Sequence, residues 1–457
     1  MTVHMRSMIA FIVVSITSLL PFSLFMNAHE YFYYKLRNVT EYPDAKEEDT
    51  MELMFAVHGL YKNRTGTDKT ELQRLYEGWL NVTSGVACIF GSILNVVATN
   101  KLSNGFRVLT GHAIIILAFV PTVFYTFINT DADQIHFFWL SMMFASMASF
   151  GALGLVGGGI CGLAATFPRV YMEAVMIAQS VSGIFGALLS IVCQATTENA
   201  ILNGRIYFGL AMGWTSMSVL CYFWLVTSHY AKHQAVSADR HPLMSEEVED
   251  DGRIETDAVE GMEGGEEEEV EIRSMHRYEE RSTVEMYGAV LRKARTEVLM
   301  SSLILVTTIA VFPAVAANVQ TEARNETWRA YFSSVCCFLL FNCCDMLGRL
   351  FASRMNIPLF LLVRLSWART LLVPLILFCD VDPRFHTPTL IRSDGAFVVF
   401  NALLGLSHGF CYTHATVKAI SSVDVTLREA TGGALAFVGV CSALLGSFVG
   451  IALVTVV

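Results

Sequence analysis

Long apolar stretches alternate with short polar ones along almost the whole chain. Eleven such runs fall at about 8–32, 75–98, 108–130, 136–160, 168–195, 205–229, 296–318, 329–352, 357–379, 394–418 and 430–457. A helix needs about 20 consecutive apolar residues to cross the hydrocarbon core of a bilayer. The pattern therefore predicts an all-α polytopic membrane protein with eleven transmembrane helices. Two polar inserts stand out, at 33–74 and 230–295, and the other connections are short. They divide the chain into a six-helix unit (1–229) that carries the first insert as an external loop, an acidic loop (230–295), and a five-helix unit (296–457).

Composition agrees. Of 457 residues, 54% are hydrophobic and 16% charged, and mean hydropathy is +0.49. Soluble domains keep roughly 25% charged residues. A soluble enzyme, a nucleic-acid binder and a disordered scaffold are excluded, and the lipid bilayer is the expected surrounding. Much of the −10 net charge sits in the second insert, in Glu266–Glu269, Glu246–Glu247 and Glu249–Asp251. With few large apolar residues, that segment cannot bury a core and reads as a solvated cytosolic linker. It also holds Ser282-x-x-Glu285, a phosphate-acceptor pattern, and Asp239 through Leu243-Met244, a distant relative of acidic dileucine signals. A kinase or a sorting adaptor is the partner such motifs would take. The eleven cysteines lie in or beside apolar runs with no CxxC pair, so they read as packing residues and no metal or cofactor is expected. The first apolar run, with Pro21 and no small-x-small cleavage site, reads as a span and not as a cleaved leader.

Basic residues fix the expected orientation. Lys101, Arg107, Arg169, Arg292, Lys293, Arg295 and Arg354 cluster on one side, whereas the 131–135 connection has Asp131 and Asp133 and no base. The N-terminus is then cytosolic and, after eleven spans, the C-terminus is extracellular or luminal. Glycosylation sequons at Asn38, Asn63 and Asn325 all fall on the non-cytosolic side, and Asn81 lies too near span two to be used.

Ionisable groups in hydrocarbon cost about 2.5–3.5 kcal/mol each on insertion scales, so each calls for a reason. The sharpest set is Phe338, Asn342, Asp345 and Arg349 in span eight. Spacings of 4, 3 and 4 make one continuous helical stripe, with Asp345 and Arg349 a turn apart. One reading is a structural ion pair. The other is a polar strip lining an aqueous cavity, where the carboxylate accepts from substrate hydroxyls and the guanidinium donates and steadies it. In span one Pro21 should kink the helix, leaving Ser23, Asn27 and Glu30 on one face and Phe22 and Met26 on the next, suited to stacking on a flat ring. Span five offers Glu173, the amide of Gln179 for a base edge, and small Ser180, Ser182 and Gly183 for close helix approach. Span nine holds Arg364 and Arg369, each needing an acid, carbonyls or water, with Asp345 and Glu429 as possible acids. Span ten carries Asn401, Gly405, His408 and Tyr412 at helical spacing; the histidine is either a packed hydrogen-bonding residue or part of the site. Neither a Walker A motif nor a voltage-sensor arginine repeat is present. The residues point to a secondary carrier with a partly polar cavity between two helix bundles.

The chain resembles the equilibrative nucleoside transporter family. Leu19–Ala28 running on to Phe32 is similar to that family's first-span signature, and Phe341-Asn342-Cys343-Cys344-Asp345-Met346-Leu347-Gly348-Arg349 to its span-eight signature, FNxxDxxGR. Gly162-Leu163-Ala164 with Pro168, Tyr171 and Gln179, then Phe312-Pro313, Leu406–Phe410 and Arg428–Gly432 resemble spans four to five, seven, ten and eleven. Ala28–Asn38 is most similar to the endolysosomal branch. The resemblance implies a 6+5, major-facilitator-like arrangement and facilitated diffusion of nucleosides, with nucleobases as a further class, by alternating access. It implies that Asp345 and Arg349 engage the ribose, that Phe338, Asn342 and Met26 line the cavity, and that Phe312 and Pro313 lie near it. Two departures bear on base selectivity: Phe22-Ser23 stand where the family has Trp-Asn, and Gly157 where some members have a purine-contacting glutamine. A carrier of organic cations or monoamines and a proton-coupled nucleoside carrier, with Glu30, Glu173 or Glu429 as coupling acids, stay open on the same fold. So does a receptor that uses the acidic loop. The plasma membrane is the expected residence, with the late endosome or lysosome as the alternative.

Overall fold

The first apolar run breaks where the sequence marks it. Helices α1 (Val3–Thr17) and α2 (Leu20–Asn27) are bent by 41°, and Pro21 sits in the first turn of α2, where a missing N–H breaks no helical bond. The short α3 (His29–Lys35) follows. The computed structural model of the chain describes residues 3–39, 70–99, 101–196, 199–227, 283–381, 384 and 386–456. Asn63, Ser282, the Asp239–Met244 motif and most of both polar inserts lie outside these residues.

Helix α4 (Glu71–Ala98) opens on a capping box, in which the Thr70 hydroxyl accepts from the Gln73 N–H and the Gln73 amide oxygen accepts from the Thr70 N–H. Next come α5 (Asn104–Tyr125) and α6 (Gln134–Ser149), which continues through π-helical turns (Phe150–Gly157) into α7 (Gly158–Thr166). Helices α8 (Arg169–Thr196) and α9 (Ala200–Thr227) complete this part. After the second insert come α10 (Thr283–Lys293), α11 (Arg295–Ile309) and α12 (Glu326–Phe332). π-Helical turns (Ser333–Leu339) carry α12 into α13 (Leu340–Arg354). Helices α14 (Leu359–Ala368) and α15 (Leu372–Leu377) flank a 3-10 turn (Arg369–Leu371), and α16 (Asp394–Ser421) and α17 (Arg428–Val456) end the chain.

Among the described residues nine helices are long and apolar enough to cross a membrane, and ten if the bent α1–α2 pair is one span. These account for ten of the eleven expected runs. The exception is 296–318, where α11 stops after 15 residues and the chain goes on as turns to a 3-10 turn at Ala316–Asn318. Pro313 lacks an N–H and its ring obstructs the preceding turn, so a straight helix cannot run through it. The fold is all-α and polytopic, and the chain is an integral membrane protein. Large apolar side chains such as Leu117, Phe124, Leu220 and Phe223 are more than half exposed, as expected of a surface turned toward lipid.

Helix α13 lies along α16, and α8 packs on α13, α1 and α2. Helix α17 packs on α4, α7 and α11. The early helices therefore meet the late ones in two places, along α8–α13 and along α17. Both meetings are polar at particular residues.

Candidate functional site

The stripe on α13 meets two other helices at Asp345. Arg349 Nε donates to Asp345 Oδ2 at 3.0 Å, one turn along the same helix. Ser180 Oγ on α8 donates to that oxygen at 2.5 Å, and His408 Nδ1 on α16 lies 2.7 Å from Oδ1. A carboxylate only accepts, so Nδ1 of His408 carries the hydrogen. Arg349 Nη1 reaches Gln179 Oε1 on α8 at 3.5 Å. The His408 ring is stacked on Tyr412 at 5.5 Å, and the Arg349 guanidinium lies 5.8 Å from that same ring. Four of the ten residues expected to hold substrate are thus in one cluster: Asp345, Arg349, Gln179 and His408.

Glycines let the helices close on this point. A Cβ at Gly405 would lie 2.5 Å from the Phe341 carbonyl oxygen, one at Gly409 would collide with the Asp345 carbonyl, and one at Gly348 with the Leu406 carbonyl. The α13 and α16 backbones are therefore in direct contact, which brings His408 within reach of Asp345. Asn342 faces Gly183 of α8, and one turn on, Gly186 faces Ser23 and Asn27 of α2. Polar side chains of α2 and α13 thus border the same small-residue face of α8.

The remaining expected residues stand around the cluster. Phe312 stacks on Phe341 at 3.9 Å and meets Phe338 edge-on at 5.6 Å, forming an aromatic group beside the α13 stripe. Asn342 Nδ2 donates to the Phe338 carbonyl, and Asn27 Nδ2 to that of Ser23. Phe22 and Met26 are half-buried on α2, and Met26 packs on the larger hydrophobic core. The aqueous strip expected from the sequence is closed in this structure. The side chains of Asp345 and Arg349 are 4% and 5% exposed, with Ser180, Gln179 and His408 bonded to them. The cavity lined by Tyr31, Phe32, Tyr125, Phe137 and Phe144 shares no residue with this cluster.

The charged residues of the neighbouring spans have other partners. Buried Arg369 donates to the Ile304 and Leu404 carbonyls, Thr308 Oγ1 and Ser407 Oγ, not to an acid. Arg364 is exposed and lies 5.5 Å from the Phe360 ring. Glu173 pairs with Arg169 at 2.6 Å. Glu429 at the start of α17 pairs at 2.7 Å with buried Arg107 of α5, which also donates to Asn95 Oδ1 of α4. Tyr287 of α10 joins here, its hydroxyl 3.3 Å from that of Thr99, and burial pushes its phenol above the usual range. Ser180, expected only to pack, and Arg107, expected only as a loop charge, both hold buried acid or amide partners. The Gly405-x-x-x-Gly409 spacing was the readable signal for the close α13–α16 contact.

A family model described as "Nucleoside transporter" matches residues 141–454. Human equilibrative nucleoside transporter 1 is 24% identical over 93% of this chain and 92% of its own length. Human equilibrative nucleoside transporter 2 is 25% identical, covering 94% and 92%. Rat equilibrative nucleoside transporter 3 is 24% identical, covering 96% and 86%. Among solved structures, the human organic anion transporter MFSD10 superposes with a TM-score of 0.57 at 10% identity, covering all of this chain and 95% of its own. The major facilitator superfamily proton:xylose symporter XylE gives 0.51 at 11% identity, covering 97% and 87%. These likenesses are of fold.

Proposed function

The chain belongs to the nucleoside transporter family, and from that premise we propose that it carries nucleosides down their gradient by alternating access, with Asp345 and Arg349 as the groups that grip the sugar. What supports this reading is one observation: Asp345 binds Arg349 on its own helix, Ser180 on an early helix and His408 on a late one. An acid placed where two sets of helices meet is in position to trade a protein hydroxyl for a substrate hydroxyl as the sets separate. Gln179 stands beside it with an amide that both donates and accepts, as a base edge requires. Phe312, Phe338 and Phe341 offer flat apolar area nearby. Asn342 borders the same face of α8 as Ser23 of α2, and Phe22 and Met26, on that same helix, would come to line the passage as the helix sets separate. The early and late helices would rock as two units, and Arg107–Glu429 is a second contact that has to part on one side.

The test is tracer uptake in intact cells that lack endogenous nucleoside transport. Uridine and adenosine are expected to enter, with excess unlabelled nucleoside suppressing uptake and excess monoamine leaving it unchanged. Suppression by the amine alone would transfer the site to organic cations. Uptake across the surface of intact cells also tests residence in the plasma membrane against an endolysosomal one.

The proposed orientation puts the N-terminus in the cytosol and Asn38, Asn63 and Asn325 outside. Asn38 and Asn325 are exposed, and Asn325 caps α12 through its side-chain oxygen, not its nitrogen. N-glycosidase treatment of protein from mammalian cells is expected to increase its electrophoretic mobility, and replacing all three asparagines by glutamine should remove the effect. An unchanged mobility on treatment of the intact protein would overturn the orientation.

A further inference from the structure

We infer that the Ser180 hydroxyl is a stand-in for the substrate's, allowing the empty carrier to close and return. Three observations carry this. Ser180 Oγ donates to Asp345 Oδ2 at 2.5 Å, and both residues are buried. The hydroxyl leaves its own helix to do so. Many buried serines and threonines in this fold turn back instead on a carbonyl three or four residues earlier, as Ser15, Ser141, Thr215, Ser366 and Thr431 do. The bond also joins an early helix to a late one, so any motion that opens a path to Asp345 between α8 and α13 must break it.

The physical consequence follows from the cost of a buried carboxylate. Asp345 keeps Arg349 and His408 whether or not the helices are apart, since α13 and α16 are in backbone contact. Its third donor comes from α8. When substrate is bound, a sugar hydroxyl supplies that donor. When the carrier is empty, closing would leave Asp345 Oδ2 with Arg349 Nε alone and its second lone pair dry and without a donor, unless the protein provides a hydroxyl of its own. Ser180 provides it. The residue is a positioning residue for the unloaded step, and it need not touch substrate.

This rests on the reading of Asp345 as the group that grips the sugar. The experiment compares two fluxes in the same cells: net uptake into nucleoside-free cells, which needs the empty carrier to return, and exchange against internal nucleoside, which does not. For Ser180→Ala the ratio of exchange to net uptake should rise about tenfold, the factor expected when a hydrogen bond to a charged group is lost. Ser180→Cys, nearly isosteric with a weaker donor, should move the ratio the same way by less, and serves if the alanine variant fails to reach the surface. Ser180→Thr keeps the hydroxyl and should restore the wild-type ratio. An unchanged ratio in Ala and Cys would overturn the inference. So would an equal fall in both fluxes with a raised KM, which would make Ser180 a substrate contact. Absence of nucleoside flux in wild-type protein that surface biotinylation finds at the plasma membrane would instead remove the transport reading itself.

Discussion

Asp345→Asn should reduce nucleoside uptake by about a hundredfold at equal surface density, because the amide keeps the side chain's shape and loses the charge that draws hydroxyl and guanidinium donors. The asparagine is preferable to alanine. Asp345 is buried and holds three partners, and removing one member of a buried ion pair typically costs about 3–5 kcal/mol through the charge left behind. Asp345→Ala and Arg349→Ala should therefore abolish flux and also lower the yield of folded protein. Arg349→Lys keeps the charge but not the planar fork that spans Asp345 and Gln179, so it should retain folding and lose most of the transport. Tracer uptake normalised to surface biotinylation measures each case. Full uptake by Asp345→Asn would refute the site.

The second large effect concerns folding. Gly348→Leu should prevent accumulation of the protein, and Gly409→Ala should lower its apparent melting temperature in detergent by several degrees. At Gly348 an added Cβ would collide with the Leu406 carbonyl, and at Gly409 with that of Asp345. Carbonyls held in helices cannot step aside, so α13 and α16 must move apart; overpacking of this kind costs about 1–3 kcal/mol, and more for a large side chain. Gly213→Ala on α9 is the control. Nothing lies within 4 Å of that position, and exchanging a mid-helix glycine for alanine gains up to about 1 kcal/mol of helix propensity. A melting point unchanged in Gly409→Ala would mean that the two helices are not held in backbone contact.

These residues show how much the sequence disclosed. Helical spacing paired Asp345 with Arg349, since residues four apart on a helix share a face whatever surrounds them. Pro21 marked the break between α1 and α2, and apolar runs marked ten spans. What spacing does not hold is the identity of partners distant along the chain. His408 reaches Asp345 across 63 positions and Arg107 reaches Glu429 across 322, and both contacts are products of the fold. The same limit applied to Arg369, which the fold supplies with carbonyls and hydroxyls in place of an acid. For 296–318 the apolar content marks a span and Pro313 marks its break: the run is helical only to Ile309 and goes on as turns.

Arg369 also has a mechanical consequence. It sits on the turn between α14 and α15, and its guanidinium grasps α11 at Ile304 and Thr308 and α16 at Leu404 and Ser407. Hydrogen bonds out of reach of water have no solvent to exchange with, so shifting one segment alone would strand a buried guanidinium donor. One side chain thus works as a keystone, and the three segments are expected to swing as a single lever.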